Sequence, residues 1–209
     1  MSSNGRIRIL SVDNHPLMRE GIATLINGQP DMQLVAQASN GREAVEYFCE
    51  CKPDITLMDL RLPDMSGTDV MLAIREKCFE ARIIIFTSYE GDFEIQRALA
   101  AGARSYTFKN MPPGDIVDVI RKVWAGKKCI PPAVAMQLVE HLSDEPLTER
   151  EIDVLRRVSA GNSNKIIAAD LALSEQTVKG HLRTIFSKLG ANDRTHAVTI
   201  ALHRGLIHV

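Results

Sequence analysis

Four polar residues stand where apolar runs of the sequence stop. "RIRILSV" (6–12) runs into Asp13, "DITLMD" (54–59) ends on Asp59, "RIIIF" (82–86) runs into Thr87, and "RSYTF" (104–108) runs into Lys109. If each run is a strand of one parallel sheet, all four side chains arrive at one rim. Two carboxylates there hold a hard divalent cation, usually Mg²⁺ with several waters retained. A carboxylate is also a nucleophile toward phosphorus, giving an aspartyl phosphate. An ammonium and a hydroxyl beside it supply what the equatorial oxygens of a phosphoryl group need. Taken singly, a strand-end Asp is more often a turn or helix cap, and a Lys is usually solvated. Four such residues, one per strand end, favour the phosphoryl reading.

The elements that must carry them are legible. A fifth apolar run, "QLVAQA" (33–38), completes the set, and three of the five runs are near-continuously apolar, as strands covered on both faces are. Helical patterns lie between and after them at 17–26, 42–49, 67–77, 93–101 and 115–124. Five βα units imply an α/β doubly wound, five-stranded parallel sheet, whose ligands bind beyond the carboxyl ends of the strands. After Gly126 the texture changes to a linker with a Pro pair and one helix at 132–142. From Leu147 no strand pattern recurs, and four helices fit at 148–160, 164–171, 174–189 and 193–204, a small all-α domain. Thr148 with Glu151 forms a capping box, and Gly161, Gly190 and Gly205 sit where helices should stop. The expected domains are 1–126, a linker at 127–145, and 146–209.

Length, charge and cysteine content bound the function. The 209 residues are 45% hydrophobic and 24% charged, ordinary for a chain that buries a core. No apolar run reaches the roughly 18 residues that span a bilayer, and the N-terminus lacks a secretory h-region. The expected location is cytoplasmic, away from membranes, with the four cysteines as reduced thiols. The net charge of −1 conceals an asymmetry. Residues 1–145 hold 16 Lys+Arg against 20 Asp+Glu, a net of −4, whereas residues 146–209 hold 9 against 6, a net of +3. A basic helical tail behind an acidic front suggests nucleic acid.

Within that tail, "SNKIIAADLALSEQTVKGHL" reads as helix, tight turn, helix. Val178, Leu182, Ile185, Phe186 and Leu189 give the second helix an apolar face at 3/4 spacing. Gln176, Lys179, Gly180, Arg183 and Ser187 lie opposite. An exposed, cationic, hydrogen-bonding face on the second helix suits a DNA major groove.

Here the residues carry a resemblance. "VDNHPLMREGI", "PDITLMDLRLPDMSG", "IIIFTSYE" and "GARSYTFK" resemble the receiver domain of bacterial two-component response regulators over about residues 6–125. The segment from "LTEREIDVL" to "NDRTHAV" resembles the LuxR-type DNA-binding domain, so the whole chain is similar to the NarL/FixJ family. The resemblance implies a flavodoxin-like receiver fold, with Asp59 as phosphoacceptor and Asp13 helping to bind Mg²⁺. The backbone carbonyl of Arg61 is a further implied ligand, Thr87 and Lys109 contact the phosphoryl group, and Tyr106 is the switch aromatic. Receivers usually carry an acidic pair where this chain has Asp13-Asn14. The amide of Asn14 still ligates a metal but brings no charge, so weaker Mg²⁺ affinity is expected. In the second domain the resemblance makes Lys179 and Arg183 candidates for base-edge contacts, with Gln176 a further DNA-binding candidate on the same face. Thr177, Lys188, Asn164 and Lys165 become candidates for phosphates. The implied partners are a sensor histidine kinase, promoter DNA and a second copy of the chain; the wide apolar face of the last helix, Ala197 to Leu202, serves either packing within the domain or, by the resemblance, the dimer contact. The alternative is a DNA-binding regulator whose atypical receiver works independently of phosphorylation. A phosphatase using Asp59 transiently is disfavoured, because Arg61 stands where a haloacid-dehalogenase-type enzyme needs a carboxylate.

Overall fold

A computed structural model describes residues 5–88, 91–140 and 144–207. These fall into two compact units, one of residues 5–88 with 95–135, the other of 91–94 with 136–140 and 144–207.

The first unit alternates strands and helices: β1 (Ile7–Val12), α1 (Pro16–Asn27), β2 (Met32–Ala38), α2 (Gly41–Cys51), β3 (Ile55–Met58), α3 (Gly67–Lys77), β4 (Ile83–Thr87), α4 (Asp92–Ala100, of which 95–100 belong to this unit), β5 (Ser105–Phe108) and α5 (Pro113–Trp124). All strand pairs are parallel, in the order β2-β1-β3-β4-β5. Such a sheet must be covered on both faces. On one face Ile7, Ile9, Ile84 and Phe86 meet Ile22 and Ile26 of α1 and Ile116, Val119 and Ile120 of α5. β3 and β4 are buried at every position. The order reverses between β1 and β3, which sets the switch point of a doubly wound sheet at the ends of those strands.

Boundaries moved by one to a few residues where ladder bonds and caps, rather than apolar periodicity, decide them. β4 ends at Thr87, the strand end expected from the sequence. The stretch expected to be linker begins inside the first unit: Cys129 bridges to Ser105 and its N–H donates to the Arg104 carbonyl, and Val134 is fully buried. The linker helix, α6, is Pro132–Glu140, and residues 141 and 142 of the expected helix lie outside the described residues. Cys49, Cys51, Cys78 and Cys129 are free thiols.

The second unit carries α7 (Glu149–Ser159), α8 (Asn164–Asp170), α9 (Glu175–Leu189) and α10 (Arg194–His203). Thr148 closes its capping box with Glu151, and Ser163, Ser174 and Asp193 cap the next three helices. Val154, Leu155, Ile167, Val178, Ile185, Ala197 and Ala201 form the core. α8 ends in a Schellman motif: the Leu173 N–H donates to the Ala168 carbonyl and the Ala172 N–H to Ala169. The left-handed position falls on Ala172, at φ +52°. No helix of the described residues is long and apolar enough to cross a membrane.

Candidate phosphoacceptor pocket and nucleic-acid interface

The pocket residues sit one step past the strands because the ladders continue that far. The Asp13 N–H donates to Ala38 of β2 at 3.0 Å, the Asp59 N–H to Val12 of β1 at 2.9 Å, and the Lys109 N–H to Thr87 of β4 at 2.9 Å. Asp13, Asp59 and Thr87 are each at most 3% exposed. The Lys109 Nζ lies 2.7 Å from Asp13 Oδ2 and 2.7 Å from Asp59 Oδ2, bridging the two carboxylates. It hydrogen-bonds to Asp59, whereas Asp13 Oδ2 is buried, paired by charge and accepts no hydrogen bond. Two buried carboxylates around one ammonium leave net negative charge in a small volume. That excess of buried negative charge fits a divalent cation.

Asp13 is also a turn residue, the simpler role considered for it. Its Oδ1 accepts the His15 N–H at 2.9 Å, an Asx-type turn that starts α1, with His15 as N-cap and Pro16 following. The His15 Nδ1 lies 3.3 Å from the same oxygen, and Arg19 of α1 donates to the Asp13 carbonyl at 2.8 Å. Asn14 is exposed. The Arg61 N–H reaches Asp59 Oδ1 at 3.4 Å. Tyr106 is fully buried on β5, its ring edge-on to Phe108 at 5.8 Å. A groove of about 610 Å³ opens beside the pocket, lined by His15, Leu17, Gly21, Thr24 and Lys109 among others.

Two pocket residues escaped the sequence reading. His15 was visible in "VDNHP" but was not weighed as a ligand. Gly67 supports the loop after Asp59: its N–H donates to the Leu60 carbonyl at 2.8 Å, and a Cβ there would lie 2.0 Å from the Asp59 carbonyl oxygen. Glycine is therefore required by close approach, a signal no spacing rule carries.

On the second unit, Gln176, Thr177, Lys179, Gly180 and Arg183 are exposed along α9, opposite the buried Val178, Leu182 and Ile185. Among the described residues no ion pair engages Lys179 or Arg183, and Lys165 on α8 is exposed. The Thr177 hydroxyl pairs with the Ser174 hydroxyl at 2.8 Å. Asn164 accepts from Arg194 at 3.3 Å through its carbonyl oxygen, leaving its amide NH₂ to donate.

Lys188 corrects an expectation. Instead of facing phosphates, its side chain is only 8% exposed and its Nζ contacts Glu151 at 3.1 Å, the Pro146 carbonyl at 3.1 Å and Glu145 at 3.2 Å. The family resemblance made it a phosphate candidate, but its ammonium compensates the buried end of the capping box. Burial pushes the Glu151 carboxyl up, and hydrogen bonds from Thr148 and Lys188 outweigh that, holding it below its ordinary range. The bond to Glu151 raises Lys188. On α10, Ala197 and Ala201 are buried and Val198 packs on the core, so part of its apolar width is spent inside the unit, while Leu202 stays exposed.

With that geometry in hand, known proteins place the chain. A family model described as the response regulator receiver domain matches residues 9–121, and one described as bacterial regulatory proteins, luxR family, matches residues 145–201. The response regulator protein VraR of Staphylococcus epidermidis is 35% identical over 206 residues, 96% of this chain and 99% of the relative. The crystal structure of response regulator ChrA, from a heme-sensing two-component system, aligns over 97% of this chain and 100% of that one, at 33% identity and a TM-score of 0.59. A structure of two RcsB dimers bound to DNA, 19% identical with a TM-score of 0.73 over 95% and 98% of the chains, shares the fold. Receiver sheet, acidic rim and helix-turn-helix agree with these matches, and the chain belongs to the two-component response regulators with a LuxR-type DNA-binding domain, a family of transcription factors rather than enzymes.

Proposed function

We propose that the chain regulates transcription through phosphorylation of Asp59 by a partner histidine kinase. The observation that carries this is the Lys109 ammonium held 2.7 Å from both Asp13 and Asp59 at the sheet's carboxyl rim, with Thr87 ending the adjacent strand. An Asp59 oxygen attacks phosphorus, the bond from phosphorus to the donor's imidazole nitrogen breaks, and the imidazole leaves with the electron pair and takes up a proton. Lys109 and the Thr87 hydroxyl then face the new phosphoryl oxygens. When bound, Mg²⁺ would offset charge on those oxygens, held by Asp13, Asp59, the Asn14 amide and the Arg61 carbonyl. The groove along α1, with Leu17 82% exposed, suits a docking helix of the kinase. Phosphorylation acts only through its different interaction with two receiver states, and Thr87 and Tyr106 are the residues through which they differ. The output is promoter binding by a homodimer. Gln176, Lys179 and Arg183 read base edges, and Asn164, Lys165 and Thr177 contact phosphates.

A second reading, regulation without phosphate, is favoured by one observation: Asn14 is exposed and uncharged where an acidic ligand is usual. Intact-protein mass after incubation with a small-molecule phosphodonor separates the two. The expected result is a phosphoryl adduct that needs Mg²⁺, disappears in Asp59→Asn and increases in Asn14→Asp. No adduct in the parent, with one in Asn14→Asp, would establish the second reading.

A further inference from the structure

The pocket's missing carboxylate has a neighbour of different chemistry. Asp13, His15 and Asp59 each offer one ligand atom, and the three atoms lie within 4.8 Å of one another. Around a cation at about 2.1 Å, ligand atoms stand about 3 to 4 Å apart, so small side-chain rotations close the set. Lys109 divides the carboxylates: both Oδ2 atoms face its ammonium, and a cation would share the Oδ1 atoms, of which Asp13's already accepts the His15 N–H at 2.9 Å through one lone pair. Asp59 Oδ1 accepts a long bond from the Arg61 N–H at 3.4 Å, and Asp13 Oδ1 is the oxygen 3.3 Å from the His15 imidazole. A cation approaching from that side meets a nitrogen. The His15 side chain is 69% exposed, so it turns into the site without breaking core packing.

The geometry points to a transition-metal site: His15 Nδ1, Asp13 and Asp59 bind a first-row dication such as Mn²⁺, Co²⁺ or Zn²⁺ in preference to Mg²⁺. This rests on the reading of the pocket as the cation-binding rim of the phosphoacceptor. Mg²⁺ selects oxygen and gains from each carboxylate, so Asn14 weakens it. Imidazole suits the later first-row ions, so along the Irving–Williams order His15 strengthens Co²⁺ and Zn²⁺ most and Mn²⁺, the paramagnetic probe, least. Coordination through Nδ1 requires the proton on Nε2, a tautomer open to an exposed imidazole. The metal remains a charge-bearing partner of Asp59; what changes is which ion fills the role.

The test uses the full chain without a polyhistidine tag. Co²⁺, Zn²⁺, Mn²⁺ and Mg²⁺ are titrated by calorimetry, and pulsed electron paramagnetic resonance of the Mn²⁺ complex looks for a directly bound imidazole nitrogen. His15→Ala and His15→Asn, the second retaining a good N-cap, are expected to weaken Co²⁺ roughly 10–100-fold. Mg²⁺ affinity should stay within about threefold. The nitrogen coupling should appear in the parent and vanish in both variants, with thermal melts verifying their fold. Parent-like Co²⁺ affinity in both variants, or no nitrogen coupling in the parent, overturns the assignment. Asp59→Asn and Asp13→Asn separate the two levels: if they abolish metal binding while the His15 variants do not, only the imidazole role falls. If they leave binding untouched, the reading of the pocket falls with it.

Discussion

At the scale of single residues, the decisive features are close approaches and compensated charges. Gly67→Ala places a methyl where the Asp59 carbonyl oxygen sits, at 2.0 Å, against backbone that cannot rotate away. The expected cost is about 1–3 kcal/mol of receiver stability, with loss of the phosphoryl adduct, read by urea unfolding and intact mass. Glu151 gives a pH signature. Its folded pKa is depressed, so its contribution is complete above the unfolded value of about 4.3 and disappears as pH falls through the lower folded value. Glu151→Gln should therefore lower the melting temperature of the DNA-binding unit at neutral pH and flatten its acid limb. An unchanged acid limb would assign the acid sensitivity to other carboxylates. Neither feature was readable beforehand. The capping box was legible from Thr148 and Glu151, but that Lys188 completes it depends on a fold that joins residues 37 apart in sequence.

At the scale of elements, helices and strands were legible to within a few residues, because apolar period and cap chemistry agree along most of the chain. α3 matches its expected span at both ends, where Ser66 accepts from the Asp69 N–H and Cys78 follows the last turn. The α8–α9 turn was legible in "DLALSEQT", but that its left-handed position falls on Ala172 was not, since glycine is the usual occupant. α9 contains the opposite mismatch, a glycine inside a helix. A Cβ at Gly180 would meet nothing within 4 Å, so packing does not impose it. Gly180→Ala should stabilise the helix by about 1 kcal/mol. If the bare backbone serves close approach to a base pair, the same change should alter the sequences selected from a random duplex pool. Identical selected sequences would mean that Gly180 takes no part in reading.

At the scale of the molecule, the charge difference between the two halves predicts function more directly than either fold does. A positive net charge on residues 146–209 makes binding to random-sequence duplex salt-dependent, with a slope set by the phosphates neutralised. Lys165→Ala should reduce that slope by about 0.9, whereas Lys188→Ala should leave it unchanged, because its ammonium is already paired with Glu151 and Glu145. Titration by fluorescence anisotropy from low to high salt checks both. The receiver's acidic rim was legible because each polar residue ended a strand, but the role of Lys109 as an internal counter-ion was not, since it joins residues 50 and more apart. The ladder bonds that carry Asp13, Asp59 and Lys109 one step past their strands have a temporal consequence. Their amide protons are locked into the sheet and exchange with solvent on the slow timescale of its opening. Whatever switches this receiver must therefore do so with side chains and flanking loops moving over a stationary floor.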